Sequence, residues 1–215
     1  MTIPDQLHLT LLHLDPRRAR DPYDVHRIIN TAFPATDQHD PAFRARHGIL
    51  WAEQPGRRDA VTVVVQSITA PEWPDRSADY IVPPQTRIVP AHLPGITEGA
   101  PLRFLLYTSP QRSVPAAAQI PGQRRPRGRK EPLLTDTERR AWLHRQGERH
   151  GFSIDDTALQ IVDHGTLRSR RKPIAWRTVL FRGILTPTDL DRFTRARLDG
   201  IGPGKAWGLG LLRLA

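Results

Sequence analysis

Cysteine is absent from this sequence of 215 residues, which removes disulfides, thiolate metal sites and cysteine nucleophiles and suits a reducing compartment. Long apolar runs are missing too. No stretch approaches the roughly 18 consecutive apolar residues of a spanning helix, and no charged leader precedes an apolar segment at the N-terminus. A cytoplasmic protein without membrane contact is the expectation. Nine histidines are present, yet none stands in an HxxxH or HExxH pattern, and no serine sits in a recognisable nucleophile motif. No metal and no other cofactor is therefore expected. Lysine is scarce: only Lys130, Lys172 and Lys205 stand among 32 basic residues, and the arginines in its place favour forked contacts to phosphates and bases.

What the chain does have is positive charge concentrated in one half. Residues 1–120 carry 12 Lys+Arg against 12 Asp+Glu, whereas residues 121–215 carry 20 against 10, so the whole net charge of +10 lies in the second part. Such asymmetry is the electrostatic footprint of a nucleic-acid binder, whose affinity rests on phosphate neutralisation. An acidic membrane surface would require a basic amphipathic helix with an aromatic face or a lipidation signal, and neither is found.

Hydropathy patterning divides the chain in two. Leu7 to Leu14 alternates as a strand, and a helix follows from Asp21 to Phe33, with Asp21 as N-cap and Pro22 as first helical residue. Ile49 to Ala52, Ala60 to Ile68 and Leu102 to Tyr107 read as strands, and Pro71 to Pro101 as an irregular crossover. The order predicts a ferredoxin-like βαββαβ unit with a degraded second helix over residues 1–110. Residues 111–132 read as a Pro- and Arg-rich linker whose basic run from Arg124 to Lys130 either touches RNA or is simply solvated. Residues 133–215 form a second, distorted α+β unit: a helix from Asp136 to His150, strands Ala158 to Asp163 and Ile174 to Leu185, a helix from Thr188 to Leu198 and a final strand.

Three segments carry candidate chemistry. On the first helix, Val25, Ile28, Ile29, Ala32 and Phe33 define the buried stripe, which puts Tyr23, His26, Arg27 and Asn30 together on the opposite side. Beside RNA, a histidine three residues from a tyrosine suits metal-independent cleavage, in which the ribose 2′-OH attacks the adjacent phosphorus and the 5′ oxygen leaves. Histidine is well poised at about pKa 6.5, whereas tyrosine near 10 is almost wholly neutral at pH 7. His26 is therefore the candidate general acid or base, and Tyr23 either orients the 2′-OH or acts as base. The competing reading is a tyrosine and a histidine on the wet face of an amphipathic helix.

The second segment is the turn Arg168-Ser169-Arg170-Arg171-Lys172-Pro173, whose four cations repel one another unless a polyanion is present. The third is the ending from Gly200 to Ala215, a glycine-rich loop containing Gly202, Gly204, Lys205 and Trp207. A Walker loop is excluded because Asp199 and Ala206 occupy its glycine and hydroxyl positions, and a dinucleotide fingerprint because a helix precedes the loop and a strand follows. Glycines that let a sugar-phosphate chain approach closely, or an ordinary helix cap and turn, remain.

Taken in order, Asp21-Pro-Tyr-Asp-Val-His-Arg, Val65-Gln-Ser, Ala141-Trp-Leu and Gly200-Ile-Gly-Pro-Gly-Lys-Ala-Trp-Gly resemble the CRISPR-associated CasE family, the CRISPR RNA endoribonucleases of type I-E systems. The resemblance implies an α+β fold of two tandem ferredoxin-like (RRM-like) domains, the second distorted. It implies binding to the repeat stem-loop of precursor CRISPR RNA and metal-independent cleavage at the 3′ base of the stem, leaving 5′-OH and 2′,3′-cyclic phosphate ends. It further implies a protein that keeps the mature guide RNA and joins other subunits in Cascade; alone, the protein is expected to be a monomer. Carried over, His26 and Tyr23 are catalytic; Arg27, Arg168, Arg170, Arg171, Lys172, Gly202, Gly204, Lys205 and Trp207 contact RNA. A catalytically silent RNA-binding subunit of the same fold is the alternative. An unrelated RRM-like protein is disfavoured because the usual aromatic motif on a central strand is missing.

Overall fold

A computed structural model describes residues 3–34, 40, 42–75, 78–115 and 128–214. Its first part contains β1 (Gln6–Leu14), α1 (Pro22–Asn30), α2 (Phe43–Arg46), β2 (Leu50–Glu53), β3 (Val61–Ser67) and β4 (Tyr80–Pro90). The strands make one antiparallel sheet in the order β2-β3-β1-β4. Alternation on β1 and β3 turns Leu12, Leu14, Val63 and Val65 toward Val25, Ile28 and Ile29 of α1, and these apolar faces close the first core. Asp21 caps α1 by accepting from the Tyr23 amide at 2.8 Å, and Pro22 needs no amide partner at the first helical position.

The second part contains β5 (Leu102–Thr108), β6 (Gln111–Val114), β7 (Arg129–Pro132), α3 (Asp136–His150), β8 (Phe152–Ile154), β9 (Gln160–Arg168), β10 (Ala175–Pro187), α4 (Leu190–Asp199) and β11 (Leu212–Leu214). Its sheet runs β11-β5-β10-β8, with β9 also on β10. Counting β8 and β9 as one interrupted strand, both sheets have the same strand order, although no helix stands between β3 and β4 among the described residues of the first. The chain is therefore two ferredoxin-like units, the second distorted by that interruption and by the β6–β7 hairpin set between β5 and α3.

Two sequence expectations change. Tyr80–Pro90 lies inside the stretch expected to be irregular, yet pairs with β1 as the fourth strand of the first sheet. Leu102–Thr108, expected to close that sheet, instead lies between β10 and β11 in the second. Sheet membership thus changes across residues 91–101 and not at residue 110. Nor are residues 111–132 wholly a linker, since their two ends pair as β6 and β7. Arg124, Arg125 and Arg127 of the basic run lie outside the described residues.

The units are joined where α4 and the C-terminal loop cross the first sheet. Gln66 Nε2 donates to the Arg197 carbonyl at 2.9 Å, Arg197 Nη1 to the Ala91 carbonyl at 3.0 Å, and Trp51 Nε1 to the Ala206 carbonyl at 3.3 Å. Leu198 packs with Leu7 and Ala91, and Leu211 with Leu50 and Ala52. These contacts set the glycine-rich loop against α1.

Candidate active site and nucleic-acid interface

The site forms where three distant segments meet: α1, the turn between β9 and β10, and the loop after α4. On α1, Tyr23 and His26 are partly buried and Arg27 is exposed. The Trp207 ring covers the first two, its centroid 5.5 Å from that of His26 and 6.4 Å from that of Tyr23. His26 Nε2 lies 3.1 Å from Asn30 Nδ2, and the Ala206 carbonyl accepts a ring N–H. With Nε2 accepting from Asn30, the ring proton sits on Nδ1. Burial pushes the imidazole pKa below its ordinary value of 6.5, with the Ala206 bond opposing, so His26 is neutral at pH 7. The helix face expected to be wet is therefore covered by residues 180 positions further along the chain, which period alone does not show.

Neutrality has a testable consequence. An NMR titration of free protein should give His26 a midpoint below 6.5, and a midpoint at or above it would mean an open, hydrated ring. Because the unfolded chain binds this proton more readily, the group's stabilising contribution is complete above pH 6.5 and declines as pH falls through that value.

The basic turn reaches the same place. Arg168 pairs with Ala175 at the end of the β9–β10 ladder, leaving residues 169–174 to make the turn. Ser169 Oγ accepts from the Arg171 and Lys172 amides at 3.1 Å each, which shapes the tip. The tip docks on the N-terminus of α1: the Arg170 amide donates to Asp21 Oδ2 at 2.6 Å, and Arg171 Nε lies 3.2 Å from Asp24 Oδ1. Lys172 Nζ sits 5.0 Å from the centre of the Tyr23 ring. Tyr23, His26, Trp207, Arg170, Arg171 and Lys172 are thus brought together.

The glycine-rich loop splits its residues between two sites. Ala206 and Trp207 face α1, while Gly202 and Lys205 line a separate depression of about 410 Å³ beside Arg149, His150 and Asp199. Burial lowers the Lys205 pKa, as do Arg44 and Arg149, with Asp199 opposing; burial, Arg149 and Lys205 lower that of His150. This depression is electropositive. Arg149 and His150, in the last turn of α3, gave no signal in the sequence beyond ordinary cations at a helix end.

Two of the loop glycines are also fixed by local packing. Gly202 and Gly204 have φ of 85° and 81°, but a Cβ on Gly202 would fall 2.5 Å from Thr108 Oγ1, and one on Gly204 2.6 Å from a Leu209 methyl. Their missing side chains make room for the protein's own packing. Gly208, next to Trp207, is as tight, with φ 79° and a Cβ position 2.6 Å from the Trp51 ring. Gly208→Ala should cost about 2–4 kcal/mol, combining left-handed strain with overpacking. Urea unfolding would measure it; a loss under about 0.5 kcal/mol would mean that Trp51 moves freely.

Two carboxylates elsewhere are already engaged. Asp163 pairs with Arg139 and Arg177, and Asp156 with Arg140 and His144. Among the described residues, no three His, Asp or Glu gather as they would around a metal ion. No helix there is long and apolar enough to cross a membrane.

Two tandem ferredoxin-like units thus bring a partly buried histidine and tyrosine on one helix together with a cationic turn and a tryptophan from the C-terminal loop. The sequence matches the family described as CRISPR associated protein over residues 7–215, and the chain belongs to that family. It is 32% identical to the CRISPR-associated endoribonuclease Cse3 of Thermus thermophilus across 96% of this chain and 99% of that protein. The structure of Thermus thermophilus Cse3 bound to an RNA representing a pre-cleavage complex superposes with a TM-score of 0.75, covering 98% and 99% of the two chains. Cas6e of Escherichia coli K-12 shares the fold at 22% identity, with a TM-score of 0.73 over 97% and 98%.

Proposed function

We propose that the protein is an endoribonuclease that binds the stem-loop of CRISPR repeats in precursor CRISPR RNA, cuts at the 3′ base of the stem without a metal ion and remains with the guide RNA as a Cascade subunit. The observation that carries this reading is the oriented His26 packed against Trp207 on the same helix whose N-terminus holds a turn of four cations, in a chain that aligns end to end with an endoribonuclease. Affinity comes from Arg168, Arg170, Arg171 and Lys172 along the stem, and from Arg27 and the Lys205 depression along flanking phosphates. Gly202 and Gly204 act by shaping the loop that presents Trp207.

His26 Nε2 takes the proton of the ribose 2′-OH as Asn30 gives way. The alkoxide attacks the adjacent phosphorus, the bond to the 5′ oxygen breaks, and that oxygen takes a proton from water, giving a 5′-OH and a 2′,3′-cyclic phosphate, while the proton held by His26 returns to solvent. Tyr23 orients the 2′-OH, and Lys172 stands where charge builds on the phosphoryl oxygens.

A second reading rests on the same ring. Both the Asn30 amide and the Ala206 carbonyl already bond it, as they would a structural histidine in a silent RNA-binding subunit. One experiment separates the two: incubation with a repeat hairpin in EDTA and mapping of product ends. A single cut at the stem base with a cyclic phosphate supports the nuclease. Tight binding without cutting supports the silent subunit.

A further inference from the structure

Asp21 and Asp24 have no part in the proposed cleavage or RNA contacts, yet both are nearly buried, at 7% and 5% exposure, and both face the basic turn. The two oxygens of Asp21 are divided between two segments. Oδ1 accepts from the Tyr23 amide of its own helix, and Oδ2 from the Arg170 amide, 149 positions away. The Ser169 side chain also bonds this carboxylate. Asp24, in the first turn of α1, takes Arg171.

Main-chain anchoring has a particular advantage here. Paired with Asp24, the Arg171 side chain serves as a strut in the RNA-free protein and must leave it to grip a phosphate, whereas the Arg170 amide fixes the turn and leaves its guanidinium exposed. The carboxylates also relieve the mutual repulsion of four neighbouring cations before any polyanion arrives. Asp21 stays ionised because its hydrogen bonds and the nearby Arg171 charge outweigh the burial that opposes them.

We propose that Asp21 and Asp24 are positioning residues that fasten the basic turn to α1, so that RNA gripped by the turn is held in fixed register with His26. This rests on the nuclease reading. A rigid tie of this kind acts on rate and not on affinity, since displacement of reacting atoms by about 1 Å is enough to cost some 100-fold in rate.

The test uses Asp21→Asn. Asparagine is as good a helix cap as aspartate, so α1 is kept, but its NH2 group would face the Arg170 N–H and break the tie. In the full-length protein, the expected result is a single-turnover rate at least 10-fold lower, RNA affinity unchanged or slightly tighter for want of a negative charge, and hydrogen exchange at the Arg170 amide about 10-fold faster. Adding Asp24→Asn should lower the rate further and spread cleavage to neighbouring phosphates. An unchanged rate with one cut position would overturn the proposal, as would a rate loss matched by an equal loss of affinity. Should the unaltered protein fail to cut the repeat, the nuclease reading falls, and the exchange rate of the Arg170 amide still decides whether the tie exists.

Discussion

His26→Ala should reduce single-turnover cleavage of a repeat hairpin by about 100- to 10,000-fold, the usual contribution of a positioned acid or base, while RNA affinity stays within a few-fold. The split follows from where the ring sits. It is partly buried beneath Trp207 and neutral, so it offers no charge to phosphates and little free surface. Its use begins when the 2′-OH proton moves, and an interaction made only then affects rate without affecting binding. A variant that cuts at the original rate would return His26 to the role of spacer between Asn30 and Ala206. Asn30→Ala supplies a control. If Asn30 only occupies Nε2 in the free protein, its loss should leave the rate within about three-fold; a loss as deep as that of His26→Ala would place Asn30 in the reaction itself.

The sequence displayed the parts of this site and not their assembly. Asp21-Pro22 announces a helix start, and the stripe Val25, Ile28 and Ile29 orients that helix, so the shared face of Tyr23 and His26 was legible from local rules. Trp207 and Arg170 approach that face only through folding, from 181 and 144 residues beyond His26, and no local period encodes them. Asp21 shows the difference well: one oxygen obeys the local capping rule, and the other is satisfied across the fold. Elsewhere the sheet defeated the sequence for a definite reason. Pro83, Pro84 and Pro90 mark Tyr80–Pro90 as irregular, yet β4 is an edge strand of its sheet, where a missing amide need not break a ladder. Leu102–Thr108 was correctly seen as a strand, but the identity of its neighbours depends on contacts with Val179–Leu185 and Leu212–Leu214, far along the chain. The interruption between β8 and β9 likewise left only the β9 start visible as a hydrophobic run.

Neutralising Arg168, Arg170, Arg171 and Lys172 together should weaken repeat binding strongly and flatten its salt dependence. Each phosphate contact contributes about 0.7–0.9 to the slope of log affinity against log salt, so four contacts would give a slope smaller by roughly 3. Between 50 and 200 mM salt, the unaltered protein would then lose about 100-fold more affinity than the variant. Arg171 sharpens the expectation, because in the free protein it is paired with Asp24 at 3.2 Å. An arginine that keeps this partner on binding contributes nothing to counterion release, whereas one drawn away to a phosphate counts in full. The single substitution Arg171→Ala separates the cases: a slope lower by about 0.7–0.9 means that RNA takes the guanidinium from Asp24, and an unchanged slope with slower cleavage means that the pair persists as a strut. If the fourfold variant keeps its slope, the turn does not lie on phosphates, and the electropositive depression around Lys205 and Arg149 becomes the place where the RNA backbone is held.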